Sequence, residues 1–154
     1  MEYKSVLKIV ISAAVVVPTL AWIAPRARAA GNAEAEPMAL RKIMRERGKS
    51  MQTVTDGISR EDWRLIADTA PRIAEHPQPP LGEKTRILAF VGTDAGRFKG
   101  FDEQTHQAAR TLGQAAERGD GQAVIASFAS LQKSCLACHQ AFRKPFVEHF
   151  YGHR

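Results

Sequence analysis

Apolar side chains along this chain recur at threes, fours and sevens, the spacing of one helix face, and no segment alternates convincingly with the period of a strand. Pro37 opens the first strong run. Leu40, Ile43, Met44, Met51, Val54 and Ile58 form its seam, Arg41, Arg45, Glu46 and Lys49 cover other faces, and Gly57 is expected to end it. Ser59 reads as the N-cap of a second helix, with Glu61 and Asp62 near its positive end. Trp63, Ile66, Ala67, Ala70, Ile73 and Ala74 carry the inward stripe, until Pro71 kinks or ends the helix and His76-Pro77-Gln78-Pro79-Pro80 breaks the chain. The connection that follows has helical propensity over Glu83 to Val91, and Phe90, Phe98 and Phe101 give it something to pack. A third helix is expected from near Asp102 to Arg118, with Phe101, Thr105, Ala108, Leu112 and Ala115 on one face. Gly119-Asp120-Gly121 is a tight turn. A fourth helix starts near Gln122 and carries Val124, Ile125, Phe128, Leu131, Cys135, Cys138 and Phe142 on a broad face, until Pro145 stops or bends it. The pattern predicts an all-α protein, an antiparallel four-helix bundle.

The first 29 residues break this pattern. Lys4 and Lys8 precede a mostly apolar run from Ile9 to Ile23, and Ala27-Arg28-Ala29 matches the small-x-small cleavage rule. The run is about fifteen residues long, short of the roughly twenty a spanning helix needs, so residues 1–29 are expected to be a cleaved signal peptide and Ala30 the mature start. Residues 30–36 read as a flexible leader, and 37–154 as the helical domain. The N-terminal segment holds Lys4, Lys8, Arg26 and Arg28 against Glu2, so the net charge of +6 falls to +3 on the remainder. That balance is not the footprint of a nucleic-acid binder. It suits weak, salt-sensitive docking to acidic redox partner proteins.

Chemistry concentrates at Cys135-Leu136-Ala137-Cys138-His139, which continues the apolar face of the fourth helix. C-x-x-C-H is the attachment signature of haem c. Two thiols three residues apart share a helix face and can add across the two vinyl groups of one porphyrin, and the adjacent imidazole is then available to the iron. A redox cysteine pair would sit in a thioredoxin-like βαβ pattern, and none is present. A zinc site would need a second pair of ligands at motif spacing, and the chain has no other Cys.

Attachment near the C-terminus, on the last of four helices, resembles the class II c-type cytochromes, the cytochrome c′ family and its low-spin branch. The resemblance rests on Cys135-Leu136-Ala137-Cys138-His139-Gln140-Ala141-Phe142-Arg143, and on Ile43-Met44-Arg45-Glu46-Arg47-Gly48-Lys49-Ser50-Met51, which looks like the start of the low-spin branch. It covers roughly residues 37 to 146. It implies one covalent haem c, an axial His139 and, at the position of the low-spin ligand, Met44. It also implies that Arg143 lies near the proximal imidazole or a propionate. Phe142 is expected on the proximal face of the ring. Haem c is attached outside the cytoplasm in bacteria, which agrees with the signal peptide and a periplasmic location. Relatives are often dimers through their first two helices, although the charged run Arg41, Lys42, Arg45, Glu46, Arg47 and Lys49 argues against an apolar dimer face, so monomer and homodimer both stay open.

The second axial position decides the function. A thioether there makes the iron six-coordinate and suited to electron transfer; an open, apolar face binds small gases. Gly48, mid-helix beside Met44, is explained if a flat ring lies on that turn. Met51 is a second candidate, Met44 as plain core filler a third reading, and bis-His ligation through His106 a fourth. His76 is expected to complement a helix dipole, and His149 and His153 to lie in the tail. The reading that follows is a periplasmic electron carrier with His139/Met44 ligation, and not an enzyme. The alternative is a pentacoordinate, cytochrome c′-type protein binding nitric oxide or carbon monoxide. A peroxidase would want a distal His and Arg, and the first helix supplies no His.

Overall fold

A computed structural model describes residues 38–152, so the expected signal peptide, leader and Pro37 lie outside the described residues. The described chain is helical, with no strand in it: α1 (Ala39–Ser59), α2 (Trp63–Ala74), α3 (Leu81–Val91), α4 (Ala95–Glu117), α5 (Gly121–Cys138) and α6 (Lys144–Tyr151). The four-helix bundle is α1, α2, α4 and α5. α2 packs on α1 and α4, and α4 on α5.

Small side chains set how closely these helices approach. The central core joins Val54, Ile66, Ala70, Ile73, Ala109, Leu112, Ala115, Val124 and Leu131, each at most 1 % exposed. Gly57 does not end α1, which runs on to Ser59. It lies in the last turn because a Cβ there would stand 2.7 Å from Ile66 Cγ1 of α2. Ser59 is therefore the last residue of α1, and the cap of α2 is Asp62, whose carboxylate accepts from the Leu65 N–H at 2.9 Å. Pro71 neither stops nor closes α2, which continues to Ala74. Proline removes one N–H near the helix end, where burial of Ile73 and Ala74 holds the last turn. The Gly119-Asp120-Gly121 turn forms as expected. Gly119 takes φ +64°, and Asp120 caps α5 by accepting from the Ala123 N–H.

The remaining elements differ more from expectation. The connection carries a full helix, α3, and α4 begins seven residues before Asp102, after a single 3₁₀ turn at Gly92–Asp94. Glu83 of α3 receives the Ala39 and Leu40 N–H groups, each at 2.7 Å, and so caps α1 from another helix. Pro145 lies in the first turn of α6, where its missing N–H costs little, and the chain stays helical to Tyr151. α6 folds its aromatic face onto α3. Met38, Ile87 and Phe146 form a second buried cluster with Leu40, Phe90, Phe98, Phe150 and Tyr151 around it.

Candidate functional site

Cys135 and Cys138 end α5, one turn apart on one face, both half-buried and both free thiols. Cys135 packs against the central core. Burial pushes both thiols above their ordinary pKa. A redox dithiol needs the opposite, a thiol lowered towards neutrality, so the disulfide-exchange reading loses its chemistry here. Two protonated thiols on one helix face remain suited to addition across two vinyl groups.

At His139 the hydrogen-bond spacing of the helix widens. Residues His139–Arg143 form a single π-helical turn between α5 and α6. Such a turn inserts one residue's worth of rotation and is frequent at functional sites. Here it releases His139 from the stripe of α5 and turns Phe142 inward. Phe142 is 8 % exposed and lies edge-on to Phe98 and Phe101 of α4, with ring centroids 5.3 and 6.2 Å away. The inward aromatic contacts of Phe142 are thus protein rings on α4. The guanidinium of Arg97 lies over the Phe101 and Phe142 rings. Arg143 is exposed and close enough to His139 for its charge to be felt. Lost hydration on the packed side of the ring, then the charges of Arg143 and Arg47, hold the His139 pKa below the usual value. The imidazole is therefore neutral near pH 7, the form that can ligate iron.

Two residues of α1 differ in their placement. Met51 packs against the central core. Met44 is 36 % exposed. A Cβ on Gly48 would meet no protein atom within 4 Å, so packing among the described residues does not require a glycine there. Arg47, which the sequence reading passed over, is the α1 side chain that reaches inward. Its side chain is 12 % exposed, with Nη2 3.4 Å from Asp102 Oδ1 and 3.0 Å from His106 Nε2 of α4. Its charge acts on Cys135, Cys138 and His139, and its Nε is buried without a hydrogen-bond partner. An unpartnered guanidinium N–H beside the two thiols fits an anionic group such as a haem propionate.

A profile of the cytochrome c′ family matches residues 39–143, from the first residue of α1 through the π turn. The chain belongs to the cytochrome c′ family. Among curated proteins it is similar to cytochrome c′ of Rhodospirillum rubrum, 35 % identical over 79 residues, which is 51 % of this chain and 52 % of the relative. It is also similar to cytochrome c′ of Pararhodospirillum photometricum, 36 % identical over 72 residues, 46 % of this chain and 58 % of the relative. The chain thus spans little more than half the length of these relatives. No solved structure matches it. The family binds covalent haem c, and the residues here fit that group: two free thiols on one face, a neutral imidazole next to them and an unpartnered cationic donor beside both.

The membership corrects one expectation. The low-spin electron carrier with His139/Met44 ligation is overturned by these matches, because both relatives are named cytochrome c′, the name that goes with the alternative reading. The Met44 assignment came from the likeness of Ile43–Met51 to the low-spin branch, with the methionine on the apolar seam of the first helix. A methionine that fills space and a methionine that ligates fit such a seam equally.

The histidines also fall differently from expectation. His76, read as complementing a helix dipole, and His106, read as a candidate second axial ligand, meet with Nε2 atoms 3.0 Å apart. Their neighbour is Asp102, one turn before His106 on α4. Only the i, i+4 spacing of Asp102 and His106 hinted at this in the sequence.

Proposed function

We propose that this protein is a periplasmic, pentacoordinate haem protein that binds nitric oxide or carbon monoxide. The observation that carries the reading is the match of residues 39–143 to the cytochrome c′ family, with both curated relatives bearing that name. Cys135 and Cys138 would hold the porphyrin through thioethers and His139 would be the one protein ligand, and a haem so held would supply an iron able to bind a diatomic gas. The chain's own groups do the rest. Cys135, packed on the core, fixes one edge of the attachment to the rigid bundle. The π turn frees His139 from the α5 stripe while Phe142, gripped by Phe98 and Phe101, anchors the backbone three residues on. Arg47 and Arg143 supply positive charge beside the imidazole, and Arg47 beside the thiols, which favours propionate binding; burial, then these two charges, lower the His139 pKa.

The segment from Lys4 to Ala29 supports export, with cleavage before Ala30; Edman sequencing of protein recovered from the periplasm tests this. Gas binding is tested by titrating the dithionite-reduced protein with carbon monoxide. A saturable absorbance change with one gas molecule per chain supports the reading, and a reduced spectrum indifferent to carbon monoxide and nitric oxide contradicts it.

A further inference from the structure

Away from the thiols, among the described residues, one group of side chains brings its ligand atoms close enough to hold a metal ion: His76, Asp102 and His106. His76 lies two residues beyond α2, and Asp102 and His106 are one turn apart on α4, so the group clamps two packed elements of the bundle. The three atoms that converge are His76 Nε2, His106 Nε2 and Asp102 Oδ1. Their separations are 3.0 Å between the nitrogens, 3.7 Å from His76 to the carboxylate and 3.4 Å from His106 to it. A tetrahedral ion with bonds of about 2.0–2.1 Å requires ligands roughly 3.3 Å apart, which these distances bracket. The side chains of His76 and His106 are 7 % and 16 % exposed.

The proton inventory of the group is frustrated. His76 Nδ1 lies 2.9 Å from the Pro77 carbonyl oxygen, an acceptor, so Nδ1 carries the proton and Nε2 the lone pair. Backbone carbonyls orient metal-binding imidazoles in the same way. His106 Nε2 faces two groups at 3.0 Å: the His76 lone pair and Arg47 Nη2, a donor. If His106 Nε2 is protonated it opposes the arginine; if bare, it opposes His76. No assignment of neutral rings satisfies all three contacts. A cation among the three atoms resolves the conflict, because both Nε2 lone pairs and the carboxylate then point at one positive charge. Arg47 can yield the position, since only its Nη2 is engaged in this group and its Nε has no partner.

We propose that His76, Asp102 and His106 form a binding site for a divalent transition-metal cation of zinc-like chemistry, with ligands other than the haem-attachment residues and Arg47 standing between the two. Two imidazoles and one carboxylate select borderline ions over calcium or magnesium, and water completes the coordination. Binding displaces the Arg47 guanidinium from His106.

The test uses chelator-treated holoprotein titrated with Zn²⁺ at pH 7.5 by calorimetry, followed by zinc-edge X-ray absorption. The expected result is one zinc per chain, with two imidazole nitrogens and a carboxylate oxygen at about 2.0–2.1 Å. His106→Ala and Asp102→Asn each weaken binding at least 100-fold with the haem spectrum unchanged, and Arg47→Gln tightens it by removing a competing cation. Absence of stoichiometric binding overturns the proposal. So does sulfur in the zinc shell, which would place the ion on the thiols, or affinity unchanged in His106→Ala. If a variant fails to fold, the absorption spectrum of the unaltered protein still decides the ligands.

Discussion

The bundle's central core and the aromatic cluster at its C-terminal side are built on opposite principles. The core is made of small and branched aliphatic side chains, and its helices approach so closely that a Cβ on Gly113 would stand 3.2 Å from that of Ala70. The second cluster is made of rings. Phe90 meets Phe146 edge-on at 5.6 Å, Phe150 lies 4.5 Å from Phe146, and Arg86 covers the Phe150 ring. Close packing fixes the angle and distance of four helices and leaves no tolerance for added volume. Interlocked rings hold a short helix against its neighbours with less demand on backbone proximity. The π turn that carries His139 joins the two regions, with Cys135 seated on the first and Phe146 in the second. His139 is thus suspended between a rigid body and a clasp.

The largest expected effect comes from cutting the join on its chemical side. Cys135→Ala with Cys138→Ala removes all covalent haem, read as loss of the haem mass from the intact protein; retention of that mass would refute the attachment. Next comes the core. Leu112→Ala is expected to cost about 2–5 kcal/mol of global stability in urea unfolding, because a fully buried side chain leaves a cavity that close-packed helices cannot fill. Phe146→Leu is a smaller change, costing about 0.5–1.5 kcal/mol of ring contacts. Amide exchange should quicken in α3 and α6 while α2 and α4 stay protected. Equal quickening everywhere would mean that the two regions are one cooperative unit. Smallest is Glu83→Gln, which keeps the shape of the α1 cap and removes its charge, for a loss of about 0.3–1 kcal/mol that salt diminishes. A loss independent of salt would assign the cap to hydrogen bonding alone.

The two regions were also unequally legible. Val54, Ile66, Ile73, Leu112, Val124 and Leu131 lie on helical stripes, and all are in the core. The aromatic cluster could not be read that way. Pro145 suggests a stop, yet at the start of a new helix segment it costs nothing. Phe142 falls on the stripe projected from α5 and is buried, but beyond Pro145 the sequence shows only an aromatic tail, so the helix that buries Phe146 was not legible. Ser59 and Gly57 misled for a related reason: the residue types that cap or end helices also serve inside a last turn when a neighbouring helix demands it. At the site, Cys135, Cys138 and His139 are contiguous and announce themselves. Arg47, His76, Asp102 and His106 come from three elements, and only folding makes them neighbours. Met44 shows the limit from the other side, since helical spacing names the face a methionine occupies and not whether its sulfur binds iron.

The central claim is that the iron has one protein ligand. The most direct measurement is the optical and resonance Raman spectrum of the purified, reduced protein before any gas is added, taken on the native chain and on Met44→Ala. A five-coordinate, high-spin signature, the same in both proteins, is the predicted result. A six-coordinate, low-spin spectrum in the native chain that becomes high-spin in Met44→Ala would contradict the account.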